Sequence, residues 1–94
     1  MDHINNESKA EKYVFITESG SCYILTIDRD QAKWLERDNL NQPMLRRDNQ
    51  KIYVQAIIHL AIGQPALLFL ELLGQGNVTI RNTSTAVQMH EVQL

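Results

Sequence analysis

The chain has 94 residues, enough for one small domain and too few for two cores. Hydrophobic residues make up 44% and charged residues 21%, an ordinary globular balance that excludes a disordered or fibrous chain. Nine Lys and Arg against eleven Asp and Glu leave a net charge of −2, whereas a general nucleic-acid binder needs surplus cations to displace counterions from phosphates.

Residues 1–11 are polar and mixed in charge, with Ile4 as an isolated large apolar residue, and they read as a flexible N-terminal tail or a short arm. The domain proper is expected over 12–94. Tyr13-Val14-Phe15-Ile16-Thr17 is aromatic and β-branched, which suits a pleated surface. Turn chemistry follows at Glu18-Ser19-Gly20-Ser21, with Gly20 able to take positive φ. Cys22-Tyr23-Ile24-Leu25-Thr26-Ile27 returns as the second arm of a hairpin, with Tyr23, Leu25 and Ile27 on one face.

The stretch from Asp30 to Arg37 fits two readings, a two-turn helix capped by Asp30 or a short strand carrying Trp34 inward. Residues 38–43 read as a polar loop. Met44-Leu45-Arg46-Arg47, a turn at Asp48-Asn49 and Lys51-Ile52-Tyr53-Val54 read as a second hairpin. The apolar run then continues to Ile62 and stops at Gly63-Gln64-Pro65.

The leucine-rich segment from Ala66 to Leu73 is read as a strand in preference to a helix. Pro65 and Gly74-Gln75-Gly76 bracket a strand-like length, although leucine itself favours helix. Val78-Thr79-Ile80-Arg81 alternates as a strand, Asn82-Thr83-Ser84-Thr85 reads as a break, and Val87-Gln88-Met89 leads to a last short strand. The expected fold is all-β, a small barrel-like or two-layer sandwich domain of five to seven short strands, with one short helical turn admitted at Trp34.

Two features bear on assembly and location. Leu67, Leu68, Phe69, Leu70, Leu72 and Leu73 put apolar side chains on both faces of one strand, and a domain this small cannot enclose both. The expected partner is a second copy, giving a homo-oligomer, with a foreign protein partner as the alternative. Cys22 is the lone cysteine, so no intramolecular disulfide can form. The 52–73 region is too interrupted for a bilayer span, and the start has no signal-peptide run, so a soluble cytoplasmic protein is expected.

Catalytic patterns find no support. His3, His59 and His90 are scattered, with no Cys, Asp or Glu at metal-ligand spacing. His59 reads as a core or interface histidine and Cys22 as a structural cysteine. Gly74-Gln75-Gly76 lacks the third glycine of a dinucleotide fingerprint. The expectation is a non-enzyme with no metal and no cofactor.

Two hydroxyl-rich segments remain, Thr17 to Ser21 and Arg81 to Thr85. Hydroxyls, exposed amides and a guanidinium can cradle an anion, whereas the same residues also serve as ordinary turn formers. The candidate ligand residues are Ser19, Ser21, Tyr23, Arg46, Arg47, Arg81, Thr83 and Ser84, with Tyr23, Tyr53 or Trp34 available to stack on a base. These motifs resemble those of short bacterial and phage β-rich proteins of unsettled activity, in which a Thr-x-Ser-Gly-Ser-x-Tyr hairpin opens the domain and an Arg-x-Thr-Ser strand closes it. The resemblance covers most of residues 13–87 and implies a compact β domain in a bacterial or viral setting. The leucine-rich 67–73 segment departs from it. The leading expectation is a homo-oligomeric binding protein that sequesters a small anionic ligand of nucleotide type. The alternative is an inhibitor or adaptor of a larger bacterial enzyme acting through the 67–73 surface.

Overall fold

The computed structural model describes residues 2–38, 51–71 and 78–92. Six strands follow in chain order: β1 Lys12–Thr17, β2 Cys22–Ile27, β3 Lys33–Asp38, β4 Ile52–His59, β5 Pro65–Glu71 and β6 Val78–Val92. Every pairing is antiparallel, each strand lies beside its sequence neighbours, and β1 pairs with β6 to close the sheet. The fold is therefore all-β and barrel-like, as expected, and no helix occurs among the described residues.

Burial alternates along these strands, as the pleat requires. Tyr13, Phe15 and Thr17 of β1 point inward, as do Tyr23, Leu25 and Ile27 of β2 and Ala66, Leu68 and Leu70 of β5. With Leu35, Val54, Ile57 and Met89 they form one buried cluster. Phe15 and Tyr23 lie opposite each other in the register, with ring centroids 5.0 Å apart and stacked. The leucine-rich segment is a strand over its described part, with Leu67 and Phe69 outward and half-buried. Leu72 and Leu73 lie outside the described residues.

Three sequence expectations give way. The Trp34 segment is β3, and alternation from the buried Leu35 sends Trp34 outward. There it meets Tyr53 edge-on at 5.4 Å, and its Nε1 donates to Asp28 Oδ2 at 3.1 Å. The break expected at Asn82 to Thr85 is absent, because β6 runs 15 residues through it. Its first part pairs with β5 as far as Thr85, and its second part pairs with β1 from Ala86 onward. Of the second expected hairpin, Met44 to Arg47 falls outside the described residues, while β4 pairs with β3 and β5.

The third concerns residues 1–11, where of the two readings, a flexible tail or a short arm, the arm is the one seen and the flexible tail gives way. Ile4 is 2% exposed and belongs to the core cluster. Its N–H donates to Leu60 O at 2.9 Å, and Ile62 N–H donates to Asp2 O at 2.9 Å. The Asn6 amide takes the place of a strand neighbour for Ile57, accepting from its N–H at 2.7 Å and donating to its carbonyl at 2.9 Å. The segment is too polar to form a core, yet one apolar side chain and a set of backbone bonds are enough to dock it.

Two predictions follow from this packing. Ile4→Ala lowers unfolding stability by roughly 2–4 kcal/mol, the range for truncating a buried isoleucine. Urea titration checks this, and a loss within experimental error would mean that the arm is free in solution. Tyr13 is fully buried, and its hydroxyl donates to Lys9 O at 2.7 Å. Burial, then the nearby carboxylates of Glu11 and Glu91, raise its pKa above the ordinary phenol value. The unfolded chain thus loses this proton first, at about pH 10. The contribution is full below that pH and is lost as pH rises through the higher folded value. Urea midpoints measured across this alkaline range should fall more steeply for the wild type than for Tyr13→Phe.

Candidate functional site

The β1–β2 hairpin is built by its turn. Gly20 takes φ +88°, its N–H donates to Thr17 O at 2.9 Å, and Thr17 N–H donates to Ser21 O at 2.9 Å. This backbone gathers three hydroxyls. Thr17 Oγ1 lies 3.1 Å from Ser19 Oγ, and Ser19 Oγ lies 3.5 Å from Ser21 Oγ.

Long β6 brings the second hydroxyl-rich segment to the first. Glu18 N–H donates to Thr85 O at 2.7 Å, Ser19 N–H donates to Ser84 Oγ at 3.2 Å, and Ser84 Oγ donates to Ser19 Oγ at 3.0 Å. Segments 65 residues apart in sequence thus form one chain of hydroxyls, running from Ser84 through Ser19 to Thr17 and Ser21.

Arg37 completes the group. It stands opposite the inward-facing Tyr23 across the β2–β3 register, so its stem follows the inner face. Its Nη2 donates to Ser21 Oγ at 3.2 Å. Its Nε is buried with no hydrogen-bond partner among the described residues. The ion pairs among the described residues join Asp2 to His3 and Lys9 to Glu11 and Glu91, and none reaches Arg37. Ser21 Oγ already accepts from Arg37, so its own proton is left to donate. Among the described residues the arrangement is rich in donors and no carboxylate is paired with Arg37, and a buried guanidinium N–H without an acceptor is costly.

The predicted ligand residues separate against this geometry. Ser19, Ser21 and Ser84 come together. Thr83 does not offer its hydroxyl, which accepts from Ala66 N–H at 3.1 Å and donates to Ser84 O at 2.8 Å beside the β5 bulge. Tyr23 is 5% exposed and its ring is stacked on Phe15, so it is a core residue and no base platform. Trp34 and Tyr53 stand on the outward side of the sheet, away from the face that carries Arg37. Arg81 is half-buried opposite Leu68 and makes no hydrogen bond to the hydroxyls among the described residues. Arg46 and Arg47 lie outside the described residues.

Arg37 is the residue that sequence reading missed. Its signal was its two-residue spacing from Leu35, visible only if the segment is taken as a strand. The histidines supply no base to these serines: His59 and His90 are exposed, and His3 is bonded to Asp2. Exposure of His59 also removes it from the core. A groove lined by Asp2, His3, Met89, His90 and Glu91 mixes acids with histidines. Among the described residues no three His, Cys, Asp or Glu side chains could hold a metal ion together. Among the same residues no helix is long and apolar enough to cross a membrane. No protein-family model, curated protein or solved structure matches the chain.

A Cβ built on Gly20 would meet no atom within 4 Å, so its glycine requirement is one of φ alone. Gly20→Ala should therefore cost about 1 kcal/mol through left-handed backbone strain, read as a lower thermal midpoint with the fold unchanged by circular dichroism.

Proposed function

We propose that the protein is a non-catalytic binder of a small phosphate-bearing molecule, with a nucleotide as the first ligand class to test. The observation that carries this reading is the buried Nε of Arg37, which has no partner and no paired carboxylate among the described residues and stands beside four linked hydroxyls. A phosphate oxygen accepts from a guanidinium edge and a serine hydroxyl together, and such charge-assisted bonds are among the stronger ones. Binding without turnover is favoured because a serine nucleophile needs a base within reach, and the described histidines lie elsewhere.

The test is calorimetric titration of the full chain with inorganic phosphate, AMP and ADP. Arg37→Met keeps the stem and removes the charge, and it should weaken binding by roughly tenfold to a hundredfold, the scale of a lost charge-assisted bond. Arg81→Ala is the comparator: an unchanged affinity would assign the anion to Arg37, and an equal loss would bring Arg81 into the site. Absence of binding heat for all three probes with the wild type, or equal affinity in folded Arg37→Met, would overturn the reading.

A further inference from the structure

The four linked hydroxyls differ in what a second protein reaches. Thr17 is 2% exposed and Ser21 is 9% exposed, so both are closed to it. Ser84 is exposed but is held within strand β6. Ser19 is exposed at the tip of the β1–β2 turn, and a Cβ on its neighbour Gly20 would meet no atom within 4 Å. Ser19 Oγ lies 3.5 Å from Ser21 Oγ, which accepts from Arg37 Nη2 at 3.2 Å. A single hydroxyl therefore separates the reachable turn serine from the guanidinium.

We propose that Ser19 is a phosphorylation site, and that its phosphoryl group occupies the anion position beside Arg37. The inference rests on the binding reading above and adds its regulation: the modified chain carries its own phosphate and excludes the free one. The chemistry is a transfer from a nucleoside triphosphate, catalysed by a separate protein kinase. The bond between Ser19 Oγ and the γ-phosphorus forms, and the bond from that phosphorus to the bridging oxygen breaks. The hydroxyl proton passes to the kinase's base, and nucleoside diphosphate leaves. The product brings a charge of about −1.5 to −2 and three acceptor oxygens to a place with unmet donors. Arg37 Nε is buried there without an acceptor among the described residues, and Ser21 Oγ, already accepting from Arg37, has its proton to donate. Ser84 Oγ, which donates to Ser19 Oγ at 3.0 Å, can donate to the phosphoryl oxygens instead. A phosphoryl group set against an arginine forms charge-assisted bonds that hold its segment in place.

The test uses the full chain with phosphoserine incorporated at Ser19 during translation, beside the unmodified chain. In calorimetry the phosphoserine chain should bind inorganic phosphate roughly tenfold or more weakly, a difference that phosphatase treatment reverses. In phosphorus NMR its second ionisation should fall below the ordinary value of about 6, because the guanidinium favours the dianion, and should return to that value in Arg37→Met. Peptide mass mapping of the chain from its own cells should place a phosphoryl group on Ser19. Equal phosphate affinity in the two folded chains overturns the inference and leaves the binding reading standing. Absence of phosphate binding by the unmodified chain defeats both. An ordinary ionisation, or a shift that persists in Arg37→Met, overturns the inference alone. So does a phosphoserine chain that fails to fold by circular dichroism, or a phosphoryl group found elsewhere or not at all.

Discussion

Closure of the sheet depends on β6. In an antiparallel meander of six short strands, β6 would pair with β5 alone and leave β1 with an open edge. The 15-residue β6 joins the two by giving its first part to β5 and its second part to β1. The change of partner falls between Thr85 and Ala86, where the end of β1 and the start of β5 meet the same strand. Closing the sheet in this way satisfies the backbone groups that open edges would expose.

That handover also explains the polar cluster. Where β6 changes partner, the register shifts at Thr17 and again beside Pro65, and backbone groups need side-chain partners. Thr83 serves Ala66 N–H, Ser84 serves Ser19 N–H, and the Gln64–Ala86 and Gly63–Ala86 bonds fasten the preceding loop. The hydroxyls are thus partly structural. What exceeds the structural need is Arg37, because the bond to Ser21 leaves its buried Nε without an acceptor among the described residues.

Much of the sheet was legible because its strands obey period two. β1 and β2 are marked by their aromatic and β-branched composition, burial alternates along them, and Gly20 marks the turn. The leucine-rich strand was legible from its brackets, since Pro65 prevents a helix from entering cleanly. Other features depend on contacts between distant segments. Ile4 reads as a lone apolar residue until Leu60 is beside it, and Asn6 reads as a loop residue until its amide meets Ile57. The Asn82 to Thr85 stretch has the composition of a break. It remains strand because its hydroxyls and backbone are taken up by two neighbours at once.

The candidate site was half legible for the same reason. Composition singled out both hydroxyl segments, and the fold brings Ser19 and Ser84 within 3.0 Å. The cation could not be assigned that way, because which arginine reaches the hydroxyls depends on strand register. Arg81 follows the second segment's alternation but lies opposite Leu68, whereas Arg37 lies opposite Tyr23, two residues past Ser21. A shift of one residue in the β2–β3 register would turn Arg37 to the outer face and leave the serines without a guanidinium. The paired inward residues Leu25 with Leu35 and Ile27 with Lys33 hold that register. The stability of the core and the chemistry of the polar cluster are therefore set by one constraint, the pairing of β2 with β3.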